Sequence, residues 1–224
     1  MRTGCGRSWT TFLAICDYAP PDAPPEVLHR DDDLLIVVKP EGLLSVPGKA
    51  PELADCLETR LRAADPQVLL VHRLDRDTSG IMVFARNRAA QRHLGLQFEK
   101  RYVTKRYVAL VAGAMAEPGG TVTLPMMADW PNRPRQMVHE DGRRAVTRWQ
   151  RLAVDGDVTR VALWPETGRS HQLRVHLLAL GHPILGDQLY GTRAAARMML
   201  HAEELGLRHP TGGAVLSFRA PCPF

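Results

Sequence analysis

The chain has 224 residues, of which 45% are hydrophobic, and its formal net charge is +5. This length predicts one sizeable core, or a large domain with a small appendage, and no apolar run is long enough to span a bilayer. Residues 1–18 lack the sustained apolar centre of a signal peptide. We therefore expect a soluble cytoplasmic protein without a membrane partner, and a monomer suits this size.

Positive charge is concentrated in two segments of the chain. Residues 86–106 hold seven basic side chains against one acid, and residues 129–151 hold six arginines against three acids. Such segments are typical of proteins that bind nucleic-acid phosphates, although a solvated helix face produces the same pattern. The charge distribution thus makes RNA or DNA a candidate partner without establishing it.

Metal-binding patterns are weak in this sequence. No Cys-x-x-Cys pair occurs, which argues against a zinc ribbon or a redox dithiol, and the four cysteines are Cys5, Cys16, Cys56 and Cys222. His171 and His176 are five positions apart, whereas two zinc ligands on one helix face require four. We expect no metal.

The first predicted elements follow a proline-rich start. Paired prolines within residues 1–26 predict a loosely ordered lead-in, so ordered structure is expected to begin near Val27. The apolar run at residues 34–38 predicts a buried strand, which the Lys-Pro-Glu-Gly turn at residues 39–42 ends. Leucines at helical spacing predict a helix within residues 51–64.

The remaining elements alternate irregularly between helix and strand. Asn87 is predicted to cap a helix whose apolar stripe includes Leu94, and residues 125–144 predict an extended basic loop or ribbon with an Asp-Gly turn. Ser170 is predicted to cap a helix that runs to Leu180 and ends at Gly181. Strands are predicted at residues 107–111, 121–124 and 158–164. Without a regular βαβ rhythm, the order favours an α+β fold with a mixed, largely antiparallel sheet flanked by helices and loops.

The most informative segment is residues 71–80, Val-His-Arg-Leu-Asp-Arg-Asp-Thr-Ser-Gly. Apolar segments on both sides predict a strand, a sharp turn and a second strand, with Asp75 at the turn. A carboxylate in partly apolar surroundings needs a cationic partner to stay ionised as a nucleophile. The alternative is that Asp75 only caps the turn, since Asp and Gly are ordinary turn residues.

A second constellation, residues 167–176, lies at a predicted strand-loop-helix junction. Arg169 offers a donor fork for phosphate at the first turn of the helix. Arg174 lies beside the apolar stripe that contains Leu173, so its guanidinium is expected at a buried margin. Such a group needs a carboxylate, and Asp75 is the candidate partner, with Asp187 as the structural alternative.

These segments resemble the RluA family of pseudouridine synthases over roughly residues 27–220. The resemblance rests on residues 71–80, on Gly-Arg-Ser-His-Gln-Leu-Arg at 168–174, on Lys-x-Tyr at 105–107 and on Lys-Pro-x-Gly-Leu at 39–43. Residues 44–48 and 129–134 are most like the small members of the family, which lack an N-terminal S4 domain. About 26 residues precede the matching region, too few for that domain.

The resemblance implies a pseudouridine synthase fold with the active-site cleft at its centre and no cofactor. It implies that Asp75 is the catalytic carboxylate and that Arg174 salt-bridges it. Tyr107 would pack against the target uracil, and it has also been considered for proton transfer. Arg73 would fill the space that the flipped base leaves, although a phosphate contact is a near-equal alternative for it. A segment such as residues 39–48 would have a structural role around the floor of the site.

The implied reaction is isomerisation of uridine to pseudouridine in structured RNA, with base flipping. For the small type, the substrates would be a tRNA anticodon stem-loop and/or 23S ribosomal RNA. The catalytic domain, residues 27–224, would then grip RNA itself, without an obligatory protein partner. The candidate RNA- and base-binding residues are His72, Arg73, Arg133, Arg135, Arg169 and Leu173.

Two other functions compete with this interpretation. A catalytically silent RNA-binding or chaperone protein on the same scaffold would carry the same basic segments, although an intact Asp75, Tyr107 and Arg174 argue against it. A nucleoside-acting hydrolase with retaining chemistry would need a second carboxylate about 5 Å from the first, and Asp77 is the nearest in sequence.

Overall fold

The computed structural model describes residues 18–224, in which twelve strands and three helices follow one another. The strands are β1 (Glu26–Arg30), β2 (Leu34–Lys39), β3 (Leu69–Leu70), β4 (Ser79–Ala85), β5 (Thr104–Ala112), β6 (Gly119–Thr123), β7 (Met126–Ala128), β8 (Gln136–Val138), β9 (Val146–Asp155), β10 (Val158–Pro165), β11 (Leu200–Arg208) and β12 (Val215–Arg219). The helices are α1 (Leu57–Ala64), α2 (Arg88–Glu99) and α3 (Gln172–Ala179).

Most of the predicted lead-in, together with Cys5 and Cys16, lies outside the described residues. Within them, Tyr18 donates a hydrogen bond to the carbonyl of Asp55 and accepts one from the backbone of Leu44. None of the helices in residues 18–224 combines the length and the apolar character needed to cross a bilayer.

Ten strands form one sheet in the order β1-β2-β4-β11-β5-β10-β9-β6, with β3 beside β4 and β12 beside β11. Among the described strands, β4 and β11 alone pair in parallel, with Ser79 opposite His201 and Gly80 opposite Ala202. The short strands β7 and β8 form a separate antiparallel ribbon. The predicted α+β fold with a mixed, largely antiparallel sheet is confirmed.

Helices cover both faces of the β1-β2-β4 half of the sheet. Leu34 and Ile36 of β2 pack in the cluster that contains α2 residues, while Leu35 and Val37 pack in the cluster that contains α1 residues. Alternate side chains of a strand point to opposite faces, so a strand covered on both faces reads as a continuous apolar run. The buried strand predicted at residues 34–38 is therefore confirmed.

The two helices that flank this half begin at side-chain caps. Asn87 accepts a hydrogen bond from the backbone N–H of Ala90 at 2.8 Å, which confirms the predicted start of α2. The helix predicted within residues 51–64 is instead divided into a 3₁₀ turn at Pro51–Leu53 and α1. The cause is a reciprocal capping box between Cys56 and Thr59, which starts a new helix at Leu57.

The start of α3 differs from the prediction. Ser170 does not cap this helix; its N-cap is His171, which has a left-handed backbone (φ 54°) and no side-chain cap. The loop before it is instead held by the buried amide of Gln172, whose Oε1 accepts hydrogen bonds from the Thr167 hydroxyl and the Arg169 N–H. The predicted end at Gly181 is confirmed, with φ +83°.

The predicted basic ribbon is confirmed as the β7–β8 hairpin. Its chain reversal lies at residues 129–135, which include a 3₁₀ turn at Trp130–Asn132. The Asp-Gly turn at residues 141–142 follows the hairpin, where the N–H of Gly142 bonds to the carbonyl of His139 at 2.9 Å. The ribbon therefore projects two arginines, Arg133 and Arg135, near its tip.

Two glycines test the described packing in opposite directions. Gly80 has φ +118°, and a Cβ there would lie 2.2 Å from the carbonyl oxygen of Ala202 on β11. Gly80→Ala should therefore lower the free energy of unfolding by at least about 2 kcal/mol. Gly95, inside α2, has nothing within 4 Å of a built Cβ, so Gly95→Ala should raise stability by up to about 1 kcal/mol. Urea denaturation of both variants measures this, and equal stabilities would contradict the close approach of β4 and β11.

Candidate active site

A cleft of about 260 Å³ opens at the centre of the sheet, between the turn before β4, strand β5 and the loop that leads into α3. It brings together segments that are about 100 residues apart in the sequence, since it holds both Asp75 and Arg174. Seven of the nine predicted site residues line it: His72, Arg73, Asp75, Tyr107, Arg169, Leu173 and Arg174. Arg133 and Arg135 lie outside it, on the ribbon.

The turn that carries Asp75 is clamped on both sides of that residue. The hydroxyl of Ser45 donates to the carbonyl of Leu74 at 2.7 Å and accepts from the N–H of Leu74 at 3.1 Å. The ammonium of Lys39 donates to the carbonyl of Arg76 at 2.7 Å. Because both neighbours are held, the backbone of Asp75 is fixed where β4 begins.

Lys39 is fully buried, and the contacts of its side chain give the Lys-Pro-x-Gly-Leu segment a structural role. Besides Arg76, its Nζ donates to the carbonyls of Pro40 and Leu43 at 2.8 and 2.7 Å, so all three N–H groups have an acceptor. Burial lowers the pKa of Lys39 to about 7, against the opposing charges of Asp77 and Asp75. This residue joins the loop after β2 to the turn of Asp75 and supports that turn from behind the lining of the cleft.

Arg174 contacts both carboxylates considered for it. Its Nε and Nη2 each bond to Asp187 at 2.7 Å, while its Nη1 lies 3.3 Å from Asp75. The Asp187 side chain is fully buried and that of Asp75 is 30% exposed. Asp187 is therefore the bidentate anchor, and Asp75 takes the third, longer contact toward the cleft. The prediction that Asp75 is a partner is confirmed, and the alternative partner is present as well.

The buried pair stays charged. Burial raises the pKa of Asp187, but the hydrogen bonds and charge of Arg174 outweigh it and hold that pKa below its ordinary value. Burial likewise lowers the pKa of Arg174, and Asp187 and Asp75 more than compensate, so it is raised overall. A permanent positive charge thus faces Asp75.

Tyr190 connects this centre to the ribbon, and the sequence did not single it out. Its hydroxyl accepts from the N–H of Gln136 at 2.7 Å and lies 2.7 Å from Nδ1 of His171, a residue of the cleft wall. The Arg174 guanidinium lies 5.0 Å from the centre of the same ring, and that of Arg135 5.3 Å. The only signal was the Gly-Asp-Gln-Leu-Tyr-Gly segment at residues 186–191, which also supplies Asp187.

Tyr107 lies on β5, between β11 and β10, and lines the cleft. Burial, together with the charge of Asp75, raises the pKa of Tyr107 above its ordinary value. Its phenol is therefore protonated at neutral pH and offers an aromatic face and an O–H donor, not a phenolate base.

His72 lines the cleft as a neutral ring. It stacks on Phe98 with 4.7 Å between ring centres, and its Nε2 accepts a hydrogen bond from the N–H of Val83. Burial is the main reason that the pKa of His72 is lowered, to about 3, and the positive charge of Lys105 lowers it further. A neutral histidine cannot form an ion pair with phosphate, so any contact that His72 makes with RNA is a hydrogen bond or a packing contact.

The cleft has an apolar wall to which Leu74 and Leu173 contribute, whereas Val108, the neighbour of Tyr107 on β5, does not line it. Because neighbours on a strand point to opposite faces, the orientation of Tyr107 into the cleft turns Val108 away from it. Phe98 and Leu200 complete the wall instead.

A single carboxylate, Asp75, lines the cleft among residues 18–224. Asp77 pairs with Arg76 at 2.7 Å and is not part of the lining. None of the lining residues within 18–224 therefore supplies the second carboxylic acid that a retaining hydrolase needs. The described residues also contain no group of three His, Cys, Asp or Glu side chains arranged to hold a metal ion.

Some basic side chains of residues 86–106 form ion pairs within the protein. Arg86 pairs with Asp65 at 2.9 Å, and Arg106 pairs with Glu203. Arg133 of the ribbon is more accessible: it stacks on Trp130, with 4.1 Å to the ring centre, and is exposed. Net charge along the sequence therefore overstates the number of cations that a nucleic acid can reach.

Comparison with known proteins agrees with this geometry. The sequence profile described as RNA pseudouridylate synthase matches residues 33–179. The dual-specificity RNA pseudouridine synthase RluA of Escherichia coli strain K12 is 49% identical over 219 residues, which cover 95% of this chain and 100% of that protein. The protein of the same name from Yersinia pestis is 48% identical, over 88% of this chain and 99% of its own.

A solved structure supports the same conclusion. Human RNA pseudouridylate synthase domain containing 1 superposes with a TM-score of 0.75 at 32% identity, over 92% of this chain and 87% of that one. The chain therefore belongs to the RNA pseudouridylate synthase family, which comprises isomerases that act on RNA. The resemblance inferred from the motifs is confirmed.

Asp187→Asn tests the anchor of this site. The substitution keeps the shape but leaves Arg174 buried with Asp75 as its remaining carboxylate in the described structure, so the free energy of unfolding should fall by about 3–5 kcal/mol. Pseudouridine formation should fall with it, because Arg174 is no longer held toward the cleft. Asp157→Asn is the matched control: that side chain is 77% exposed and pairs with Arg193, so its loss should cost about 0–1 kcal/mol. Denaturation and turnover are measured together, and equal effects of the two variants would contradict the assignment.

Proposed function

We propose that Asp75 is the catalytic carboxylate of this pseudouridine synthase and that its substrate is a uridine flipped out of a structured RNA. The observation that carries the proposal is the contact of Asp75 with Arg174 in a central cleft that no other carboxylate of residues 18–224 lines. The catalytic domain would comprise residues 27–224.

The reaction breaks the bond between C1′ and N1 of uridine, turns the uracil and joins its C5 to C1′. The C5 hydrogen leaves as a proton and N1 gains one, so the change is an isomerisation without net oxidation. One carboxylate at the sugar is sufficient for this chemistry. Asp75 would act either by attacking C1′ or by helping to remove the C2′ proton, and both routes require it to be ionised.

Arg174 would hold Asp75 in position while leaving it reactive. Asp187 engages two of the guanidinium nitrogens at 2.7 Å, so only the longer 3.3 Å contact is directed to Asp75. The partial exposure of Asp75 supports access by a sugar. A carboxylate held by two strong bonds would be a poorer nucleophile, because its lone pairs would be engaged.

Tyr107 would pack against the target uracil with its neutral ring. The leucines of the wall, Leu74 and Leu173, would exclude water, because a free glycosyl group is otherwise hydrolysed. A uridine within a helix cannot reach Asp75, so it must be flipped from a loop or a distorted helix. Arg73, exposed at the cleft, would fill the vacated space or contact a phosphate.

The dual specificity named for the bacterial relatives supports two kinds of RNA substrate, and the motif resemblance to the small members of the family points to a tRNA anticodon stem-loop and 23S ribosomal RNA. Both present single-stranded loops, which are the usual targets of RNA-specific recognition. Grip on the phosphates would come from Arg133 and Arg135 of the ribbon and from Arg169 at the cleft. The hydrogen bond between Tyr190 and Gln136 supports a fixed position of the ribbon relative to the catalytic centre.

Asp75→Asn tests the catalytic assignment. Arg174 keeps its bidentate bond to Asp187 in this variant, so the fold and RNA binding should be retained within a few-fold. Turnover should fall by more than about 10³-fold. The assay is release of tritium from unmodified tRNA and 23S ribosomal RNA transcripts labelled at uridine C5.

Asp77→Asn is the matched control, because Asp77 pairs with Arg76 outside the cleft lining and should keep most of its turnover. Comparable residual activity in Asp75→Asn would refute its role. A silent RNA-binding protein would bind the transcripts without releasing tritium, and a hydrolase would produce free uracil and an abasic site.

Arg133→Ala and Arg135→Ala test the ribbon. Each should weaken RNA binding at moderate salt, and each should reduce the slope of log affinity against log salt by about 0.7 to 1 per lost phosphate contact. Turnover at saturating RNA should not change. Filter binding across a salt series measures the effect, with Arg193→Ala as the control because Arg193 pairs with Asp157 at the start of β10. Unchanged affinity at low salt would show that the ribbon does not contact RNA.

A further inference from the structure

A second cleft, of about 620 Å³, continues from the proposed active site. The two share a wall that includes Phe98, Lys105 and Arg169. Beyond this wall, the second cleft is lined by residues that no step of the reaction uses, among them Arg101, Arg148 and Trp164. A ligand that leaves the active site on this side would enter the second cleft directly.

The charge of this cleft is mostly positive. Its walls carry four cations, and the acids beside them are Glu99 and Glu166; the cations are Arg101, Lys105, Arg148 and Arg169. Within the described part of the chain, none of these four lies within 4 Å of a carboxylate. By contrast, Arg106, which neighbours Lys105 in the sequence, pairs with Glu203. The positive charge of this cleft is therefore available to a ligand, because no carboxylate of the described residues pairs with it.

Arg101 occupies a backbone position that favours glycine. Helix α2 ends in a Schellman motif, in which the N–H of Tyr102 bonds to the carbonyl of Gln97 at 2.8 Å and that of Arg101 to Phe98 at 3.2 Å. The residue after the C-cap has φ 61°, a conformation that side chains with a Cβ disfavour. Glycine suits this backbone position better than arginine, whereas a cation at the C-terminus of a helix is favourable to the macrodipole, so Arg101 places a positive charge on the wall of the cleft at some backbone cost.

An aromatic ring stands beside these cations. Trp164 and Arg148 are opposite each other in the β9–β10 pair, and the guanidinium lies 4.7 Å from the indole centre. The Trp164 side chain is partly exposed and lies at the end of β10, immediately before the loop that carries Arg169. A flat aromatic surface among free cations is the combination with which proteins hold single-stranded nucleic acid.

We propose that this cleft is a subsite for a single-stranded nucleotide of the substrate RNA that flanks the target uridine. Its base would stack on the Trp164–Arg148 pair, and its phosphate would be neutralised by Arg101, Lys105 and Arg169. This inference rests on the proposed function, because it takes the flipped uridine to lie in the first cleft.

The geometry of β5 supports a continuous RNA strand across the two clefts. Lys105 and Tyr107 point to the same face of β5, about 7 Å apart along the strand. Lys105 lines both clefts, and Arg101 lines the second. Burial lowers the pKa of Lys105, and the charge of Arg101 lowers it further. An RNA strand whose uracil packs on Tyr107 would therefore meet Lys105 next, where these cations would neutralise a phosphate.

The chemistry favours RNA over an acidic peptide as the occupant. A carboxylate-rich peptide would use the cations but not the indole, and it would have no reason to extend into a cleft that contains Asp75. Stacking on an aromatic side chain accepts every base, so the subsite would add affinity for a single-stranded flank without selecting its sequence.

Three variants test the subsite. Trp164→Ala should lower kcat/KM for tritium release from unmodified tRNA transcripts by about five- to a hundredfold, with kcat at saturating RNA almost unchanged. Trp164→Phe keeps a stacking ring and should retain most of the affinity. Arg101→Gly should weaken binding in filter assays by several-fold and reduce its salt dependence. Its melting temperature should be unchanged or higher, because glycine suits the left-handed position, so lost affinity cannot come from unfolding.

Arg193→Ala is the control, with wild-type kinetics expected, because Arg193 pairs with Asp157 just before the start of β10, whereas Trp164 lies at the end of that strand. Wild-type kcat/KM in Trp164→Ala and Arg101→Gly, with an active parent, would overturn the subsite and leave the proposed function intact. A loss confined to kcat would also overturn it, since a binding subsite acts through KM. Without tritium release from the parent, the proposed function fails, and the filter-binding affinities of the same variants then decide on the subsite alone.

Discussion

The ion pair of Arg174 with Asp187 is the interaction on which the arrangement of the cleft depends. Both side chains are buried, and a buried charge without a partner is costly, so the two residues hold each other in one geometry. That geometry directs the third donor of the guanidinium toward Asp75. The same cation stacks near Tyr190, whose hydroxyl reaches both His171 and the ribbon, so the position of the ribbon follows from the position of the charge.

The turn of Asp75 has an independent support on its other side. Ser45 and Lys39 hold the residues before and after it, through backbone groups that do not depend on which side chains occupy positions 74 and 76. Catalytic groups need such pre-arranged supports, because a displacement of about 1 Å costs about a hundredfold in rate. Two unrelated sets of contacts therefore converge on a single carboxylate.

The spacing of apolar residues and the turn residues in the sequence predicted most of the fold. The need of a buried arginine for a carboxylate partner predicted part of the site. The covered strand β2, the cap at Asn87 and the end of α3 at Gly181 all follow from side-chain spacing and turn residues. The start of α3 did not, because a buried amide, Gln172, replaces the usual cap. Nor did the role of Tyr190, since hydrogen bonds between distant segments leave no periodic trace in a sequence.

The place of β11 in the sheet has a consequence for synthesis of the protein. This strand, residues 200–208, lies between β4 and β5, which carry the two sides of the catalytic cleft. Until it has left the ribosome, β4 and β5 have no bridge, and each presents an open edge on which other chains can pair. The two sides of the cleft are therefore joined only after residues 200–208 have been made, and a nascent chain stalled before residue 200 would be an unassembled and aggregation-prone intermediate.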